Sequence, residues 1–515
     1  MKFLIITRGV NSFTVFLILL CGCLVFIILP TQYLLYMKTR EGKCSDQVYN
    51  SVFRGMRNFM DLSTDEKIQE RLLNSKKAGT PDESTIFVVP RHKQPPFVPY
   101  IKVVNRNKFD ALFRDHGSSN PLPRDLTEDD KLVIYKDPDR HNSPWEQFYQ
   151  DINRYQLYSF NSTHEMTSLM TYLQDSTMSI CPQMGGGTQI KLNITFTDGG
   201  KALMKPWRVP REYQTLPDHY FFADIERHTA ELAAFHLDRI LDFRRVPPTT
   251  GRIFNITSEI KACASGKVFV KSFFKSPANN TCFITECHQY CEISKTPVCG
   301  KPDLVEGSVA AFLPQDREYR RKNLLNPWKR SYTRGTGKAK WETNSSYCYS
   351  SVMVNPPFTK GRRMLDIIDL SIFDFFIGNF DRHTYNTFFK FGDFSTIIHL
   401  DQGRSFGSYE KDELTCLAQL KQCCFVRNST YHRLLLLNKN EYKLGDVMRE
   451  SMSTDPIAPV LYEPHYEALN RRLRIIIDVI DGCLATASAA DDVLKKEPRY
   501  EDYMREISHD KKQLG

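Results

Sequence analysis

No Lys/Arg tract dominates this chain, no internal repeat is visible and no low-complexity domain interrupts it. The first absence leaves nucleic-acid binding with little support. The other two exclude repeat arrays and low-complexity assemblies. With 41% apolar and 12% aromatic residues, 515 residues can bury a sizeable core, as two or three domains or one large two-lobed unit. A net charge of +9 is mild for that length. A Gly-x-Gly-x-x-Gly phosphate loop is also missing. Gly185-Gly186-Gly187-Thr188-Gln189 is glycine-rich but does not match, and reads equally well as a plain flexible loop.

Long apolar runs are scarce outside the N-terminus. There, Phe13 to Leu29 is uncharged, and Thr31 to Met37 extends it with only Pro30 as a break. This is long enough to span a bilayer as a helix and lacks the small-x-small site of a cleaved leader. The flanking charges, Lys2 and Arg8 against Lys38, Arg40 and Lys43, do not set orientation. Sequons and cysteines do. Asn-x-Ser/Thr occurs at Asn161, Asn193, Asn255, Asn279, Asn344 and Asn428, each a potential surface glycosylation site. Cys282, Cys287, Cys291 and Cys299 cluster within eighteen residues. Beyond a membrane anchor such a cluster reads as disulfides rather than zinc. The expectation is a type II anchored protein with its bulk in an oxidising lumen.

Residues 38–150 are polar and proline-punctuated and read as a stem, ordered only toward its end, where Trp145, Phe148, Tyr149, Tyr155, Tyr158 and Phe160 can pack a short helix on the main domain. Ile190 to Phe196 alternates strictly, which predicts a half-buried strand. Asp198-Gly199-Gly200 makes the turn, and Ala202 to Lys205 begins the return strand. Asp224 to Leu241 predicts an amphipathic helix carrying two candidate glutamates, Glu226 and Glu231. Arg320 to Lys340 is strongly basic, by default a solvated loop and otherwise a patch for an acidic substrate. Met364 to Gly378 predicts another helix, and beyond Gly407 the chain reads as helical to about residue 488 before a charged, fraying tail.

Chemistry concentrates in Phe373 to Gly407. Asp381 is followed five positions later by Asn386, then by the apolar run Ile397 to Leu400 and by Asp401-Gln402-Gly403. Asp-x4-Asn, a strand and Asp-x-Gly is the polar layout of a phosphoryl-transfer centre: one Asp takes the acceptor hydroxyl's proton, and the second bridges metal to phosphates. Such a centre needs a strand lysine on the phosphates, here Lys205, and a helix acid beside it. Spacing leaves Glu226 and Glu231 both open.

The runs ERHTAELAAFHLDRILDFRRVPP (226–248), CGKPDLVEGSVAAFLP (299–314), GNFDRH (378–383), HLDQGRSFG (399–407) and QCC (422–424) closely resemble the secretory-pathway Golgi casein kinase family, over most of Gly185 to Cys483. Members are atypical kinases that phosphorylate Ser in Ser-x-Glu sequences of secreted proteins. The resemblance implies an α+β, two-lobed kinase-like fold with a β-rich N-lobe and a helical C-lobe, stabilised by disulfides. On that plan residues 1–12 are a cytoplasmic tail and 13–37 the anchor. The stem is 38–150, the N-lobe with its cysteine-rich insertion 151–309, the C-lobe 310–488 and a flexible tail 489–515. It implies ATP with Mn²⁺ (or Mg²⁺), Asp381 as base, and Lys205 as phosphate clamp. Glu226 rather than Glu231 becomes a metal ligand with Asp401, leaving Glu231 as a solvated helix residue. Gln189 and Asn386 come near the nucleotide, and Ala310, Ala311, Phe312 and Leu313 form the hinge beside adenine, a segment that otherwise reads as a buried strand. Implied disulfides are Cys282–Cys299, Cys287–Cys291, Cys348–Cys423 and Cys424–Cys483, each contributing about 2–4 kcal/mol. Cys44, Cys181, Cys263 and Cys416 stay unassigned. Implied partners are acidic secreted substrates, a homo- or heterodimeric family member, and the Golgi membrane through the anchor. One departure stands out: the family runs Asp-Arg-His-His-Tyr-Glu, whereas this chain has Thr384 and Asn386. Alternatives are a proteoglycan xylose kinase, sharing the same centre, and a pseudokinase that activates a sibling.

Overall fold

The computed structural model describes residues 108–119, 123, 126–134, 143–185, 190–216, 224–284, 297–331 and 337–514. The apolar run 13–37, Cys44, Gln189, Cys287 and Cys291 lie outside them. Among the described residues no helix is long and apolar enough to cross a membrane.

In chain order, the first part comprises helices α1 (Lys108–His116), α2 (Pro144–Asp151) and α3 (Thr163–Asp175), then strands β1 (Met178–Pro182), β2 (Leu192–Phe196) and β3 (Lys201–Pro206). Helix α4 (His228–Ile240), strands β4 (Thr249–Asn255), β5 (Ala264–Ser265), β6 (Phe274–Lys275), β7 (Thr281–Phe283) and β8 (Val298–Cys299), and β9 (Leu304–Ala311) follow. Six strands form one sheet in the order β4-β9-β3-β2-β1-β5, and β6-β7-β8 form a small separate one. The expected hairpin is present: Leu192, Ile194 and Phe196 are buried, Ile194 faces Ala202, and Gly199 turns at φ +91°. Helix α4 packs on β4 and β9, placing the helix beside the strand that carries Lys205.

The second part comprises β10 (Arg321–Leu325), helix α5 (Arg363–Ile377) and β11 (Thr384–Phe388). Beyond these come α6 (Ala418–Cys423), β12 (Val426–Arg427), α7 (Asn428–Leu437), α8 (Leu444–Ser451), α9 (Pro464–Thr486), β13 (Leu494–Lys495) and α10 (Tyr500–Leu514). Every residue of α5 is buried, its polar Arg363, Asp366, Asp369, Ser371 and Asp374 as well as its apolar majority. The helix stops at Gly378, whose φ of +68° a residue with a Cβ adopts only at a cost. Its buried Asp366 and Asp369 meet Arg245 at 3.2 and 3.1 Å, and Arg427 bonds both. Arg362 adds a contact to Asp366 at 3.1 Å. Burial alone would raise the Asp366 carboxyl, but the guanidinia of Arg245, Arg362 and Arg427 outweigh it and hold it far below its usual range. Arg245 comes from the segment after α4, so the cluster fastens the sheet-bearing part to the helical one.

Several expectations are corrected. Within the expected stem, helix α1 docks on α8 through the ion pair Lys108–Asp446 at 2.6 Å, because a charged pair and the buried Ala111 and Leu112 give it a face to bury. The tail is helical over Tyr500–Leu514 and is held at several points. Glu497 bonds Arg427, β13 pairs with β12, and Arg154 stacks 3.5 Å from the Tyr500 ring, so tertiary contacts override its polar composition. Ile397 to Leu400 is no regular strand. Its N–H groups go to separate partners, with Ile398 bonding Asn386 O and His399 bonding Arg245 O. The bonds Cys282–Cys299, Cys348–Cys423 and Cys424–Cys483 match the implied pairing, and Cys181–Cys263 adds a fourth among the described residues. Cys416 is a buried thiol. Of the sequons, Asn161, Asn279 and Asn344 are exposed and Asn255 and Asn428 half-buried. Asn193 is also half-buried, with its side-chain oxygen sealed in strand β2.

Two histidines make stability depend on pH. Burial, reinforced by Arg239, pushes His236 down to about 3, and burial with Arg472 and Arg227 does the same for His465. Both fold neutral, so their contribution is complete above the unfolded value near 6.5 and is lost as pH falls below it. Denaturant unfolding at pH 5.0 against 7.5 is expected to show about 2 kcal/mol lost per histidine. His465→Gln should flatten that slope.

Candidate active site

Lys205 lies near the end of β3 with its amine almost wholly buried, and three carboxylates converge on it: Glu231 at 2.5 Å, Glu226 at 2.8 Å and Asp401 at 3.1 Å. Burial by itself would lower the amine, but the three acids outweigh it and hold Lys205 well above its ordinary value. Glu226, pushed up by burial, sits where a second negative charge is poorly solvated. Lys205 holds Asp401 well below the usual carboxylate range. The oxygens of Glu226, Glu231 and Asp401 lie within 4.8 Å of one another. Three acids against one amine leave an excess of negative charge in an all-oxygen donor set, which fits a hard divalent cation. The side chain of Asp401 is 73% exposed while that of Lys205 is 8%, so the cluster opens on the Asp401 side.

The local fold explains the convergence. The helix expected from Asp224 starts only at His228, because Arg227 is extended (φ −100°, ψ 119°) and donates its backbone N–H to Gly403 O at 2.6 Å. Glu226 therefore lies outside the helix and turns back to Lys205. Gly403 leaves the room: a Cβ there would stand 2.8 Å from the Glu226 carboxylate. Glu231, in the first turn of α4, is not the solvated residue expected. It bonds Lys205 and accepts the Gln402 N–H at 3.1 Å, a role concealed because helix periodicity alone does not say what faces a helix. Asp401 itself takes φ +61°, a left-handed conformation.

Asp381 follows α5 on a loop shaped by Asn379, whose side-chain oxygen accepts the Asp381 N–H at 3.0 Å. One carboxylate oxygen bonds Arg404, and the other lies 3.2 Å from His383 Nδ1. The bond to Asp381 raises His383 above its ordinary value. Arg404 was not singled out in the sequence; its only signal there is a position three residues after Asp401, on the same loop. Arg382 is buried between the loops. It pairs with Asp374 at 2.9 Å, donates to Gln402 Oε1 at 2.7 Å, and bonds Leu400 O. Asn386 lies in β11, in register with Asn323 and bridged to Ile398. Ala310 and Ala311 lie in β9, so that segment is strand as well as hinge candidate. The N–H of Ala311 is committed to Pro248 O at 2.8 Å and that of Phe312 to Lys201 O at 3.0 Å, with buried Leu313 following.

The family model "Fam20C: Golgi casein kinase, C-terminal, Fam20" matches residues 143–492. The chain belongs to the Fam20 Golgi casein kinase family. It is 49% identical over 358 residues to the human extracellular serine/threonine protein kinase FAM20C, covering 69% of this chain but 61% of that protein. The mouse pseudokinase FAM20A is 45% identical over 361 residues (67% of this chain, 66% of that one). The zebrafish glycosaminoglycan xylosylkinase is 39% identical over 353 residues (68% and 83%). A solved structure of the Golgi casein kinase with Mn/ADP bound superposes with TM-score 0.68 at 34% identity, covering 80% of this chain and 97% of that one. The two-lobed α+β fold is thereby that of Fam20 kinases.

Gly403→Ala tests the cluster. Its Cβ must displace Glu226, so calorimetric Mn²⁺ affinity is expected to fall at least about tenfold, the factor that 1.4 kcal/mol represents, with thermal unfolding little changed.

Proposed function

We propose that this chain is an active serine protein kinase of the secretory pathway that transfers the γ-phosphoryl of ATP to Ser in Ser-x-Glu sequences of secreted proteins. The observation that carries this reading is the closure of Glu226, Glu231 and Asp401 on Lys205, with Asp381 on the adjoining loop. A pseudokinase has no need to keep four mutually repelling or desolvated groups in register.

Each residue then has a task. Asp381 takes the serine proton, steered by Arg404 and His383. Lys205 meets the phosphates while Glu231 fixes its direction. Glu226 and Asp401 would hold Mn²⁺ or Mg²⁺, which when bound neutralises charge on the phosphate oxygens. Asn386 in place of an acid removes one negative charge near the nucleotide, and Gln189 and the 310–313 segment would complete that pocket. The Mn/ADP-bound relative and the extracellular kinases in the family support these assignments. Disulfides and exposed sequons at Asn161, Asn279 and Asn344 support a lumenal or secreted location, with residues 13–37 as anchor.

The test offers labelled ATP, with Mn²⁺ or Mg²⁺, to a Ser-x-Glu peptide, its Ser-x-Ala twin and a xylose-containing linkage glycan. Label on the Ser-x-Glu peptide alone is expected, falling at least about 100-fold in Asp381→Ala and Asp401→Ala. Label on the glycan alone would move the chain to the xylosylkinase branch, and none on any acceptor would sink the enzyme reading. Arg404→Ala should lower kcat about 10- to 100-fold with the KM for ATP little changed.

A further inference from the structure

Strand β10 forms a two-stranded ribbon with β11, in the antiparallel register Arg321↔Phe388 through Leu325↔Thr384. The bonds flanking the ribbon fix which peptide groups face inward. The Asn326 N–H donates to His383 O at 2.9 Å, and the Phe389 N–H donates to Arg320 O at 3.0 Å. Bonded pairs alternate along an antiparallel ladder, so residues 320, 322, 324 and 326 turn their backbone groups toward β11. Residues 321, 323 and 325 turn theirs outward. A second bond checks the parity: Asn386, opposite Asn323, points its carbonyl away from β10 and accepts the Ile398 N–H at 2.8 Å. Among the described residues, no backbone group pairs with the outer edge of β10.

Unpaired edges are templates for an incoming strand, and proteins that leave one open commonly guard it with charge. Here the charge is of one sign. Arg320, Arg321 and Lys322 line the strand, with Arg317 just before it; the nearby acids Asp316 and Glu318 stay in the preceding turn. The Arg320 guanidinium is ordered 4.0 Å from the Phe389 ring centroid. Leu325 is 66% exposed and Phe389 53%, adding apolar surface to a basic edge. The strand ends on the loop that carries Asp381: Asn326 donates its side-chain amide to Arg382 O at 3.0 Å and its backbone N–H to His383 O, the two residues that follow Asp381.

From these observations we infer that the outer edge of β10 is a docking strand for an extended, acidic segment of the acceptor protein, held by backbone pairing to residues 321, 323 and 325 and by Arg320, Arg321 and Lys322. The inference deepens the kinase reading by naming where an acidic substrate is gripped. At roughly 3.3 Å per residue the edge accommodates about five residues, so it reads acids beyond the one two positions from the reacting serine.

The experiment measures fluorescence anisotropy of a labelled ten-residue Glu/Val-alternating peptide on the full chain, without nucleotide. A Gln/Val twin and a copy N-methylated at alternate residues are run beside it. Asn323→Pro removes only an outward N–H, since Asn323 makes no ladder bond to β11; a second variant reverses charge at Arg321→Glu and Lys322→Glu. Binding of the acidic peptide is expected, at least tenfold weaker for the twin, the N-methylated copy and both variants. With an acidic protein acceptor, KM should rise comparably while kcat stays within twofold and the KM for ATP is unmoved. No binding of the acidic peptide, or equal binding of the N-methylated copy to the unaltered chain, overturns the proposal even if a variant misfolds. Edge-dependent binding without phosphate transfer would keep the docking strand and sink the kinase reading. Transfer with unchanged KM in both variants would do the reverse.

Discussion

The buried guanidinium of Arg382 sets the spacing on which the site depends. It grips Asp374 at the end of α5, the carbonyl of Leu400 and the side chain of Gln402, so the loop bearing Asp381 and the loop bearing Asp401 are held to one frame. A guanidinium suits this task because its rigid fork of donors reaches several acceptors at once, and a flexible ammonium would not fix their relative directions. Desolvating such a charge is costly unless its partners are in place, and the same condition makes the arrangement all-or-none. Gln402 extends the frame outward: its N–H meets Glu231, which in turn orients Lys205.

Much of this was legible in the sequence because the relevant signals are local. The alternation of Leu192, Ile194 and Phe196 and the helical spacing of Leu365, Ile368, Ile372, Phe375 and Phe376 translate directly into a hairpin and a buried helix. Asp381 and Asp401 were visible through spacing alone, and long matching runs gave the two-lobed plan and three disulfides. What was not legible depends on contacts between distant segments. Nothing near Glu231 announces that Gln402 will meet it, and nothing near Glu497 announces Arg427. The late start of α4 is of the same kind. Asp224 to Arg227 can be helical locally, and the carbonyl of Gly403, far along the chain, decides otherwise.

The two ionic clusters use charge differently. Around Asp366 and Asp369, arginines and acids are sealed from water, so the cluster serves to join segments and its directions are fixed. Around Lys205 the acids outnumber the base, and one of them is open to solvent. The first arrangement is balanced and inert; the second leaves an excess of negative charge open to solvent on the Asp401 side, which is what a site needs to attract a cation.

The left-handed backbone at Asp401 has a consequence for how such a chain can change over time. At φ +61°, glycine or asparagine would sit as comfortably or more so, and either would also relieve the crowding of like charges around Lys205. Against that backbone gain stands the loss of the Lys205 contact that holds the Asp401 carboxyl below its usual range, so the two effects oppose each other in folding free energy. A gene copy could therefore exchange this aspartate for asparagine at little net cost to the fold while removing one of the three carboxylates that face each other around Lys205.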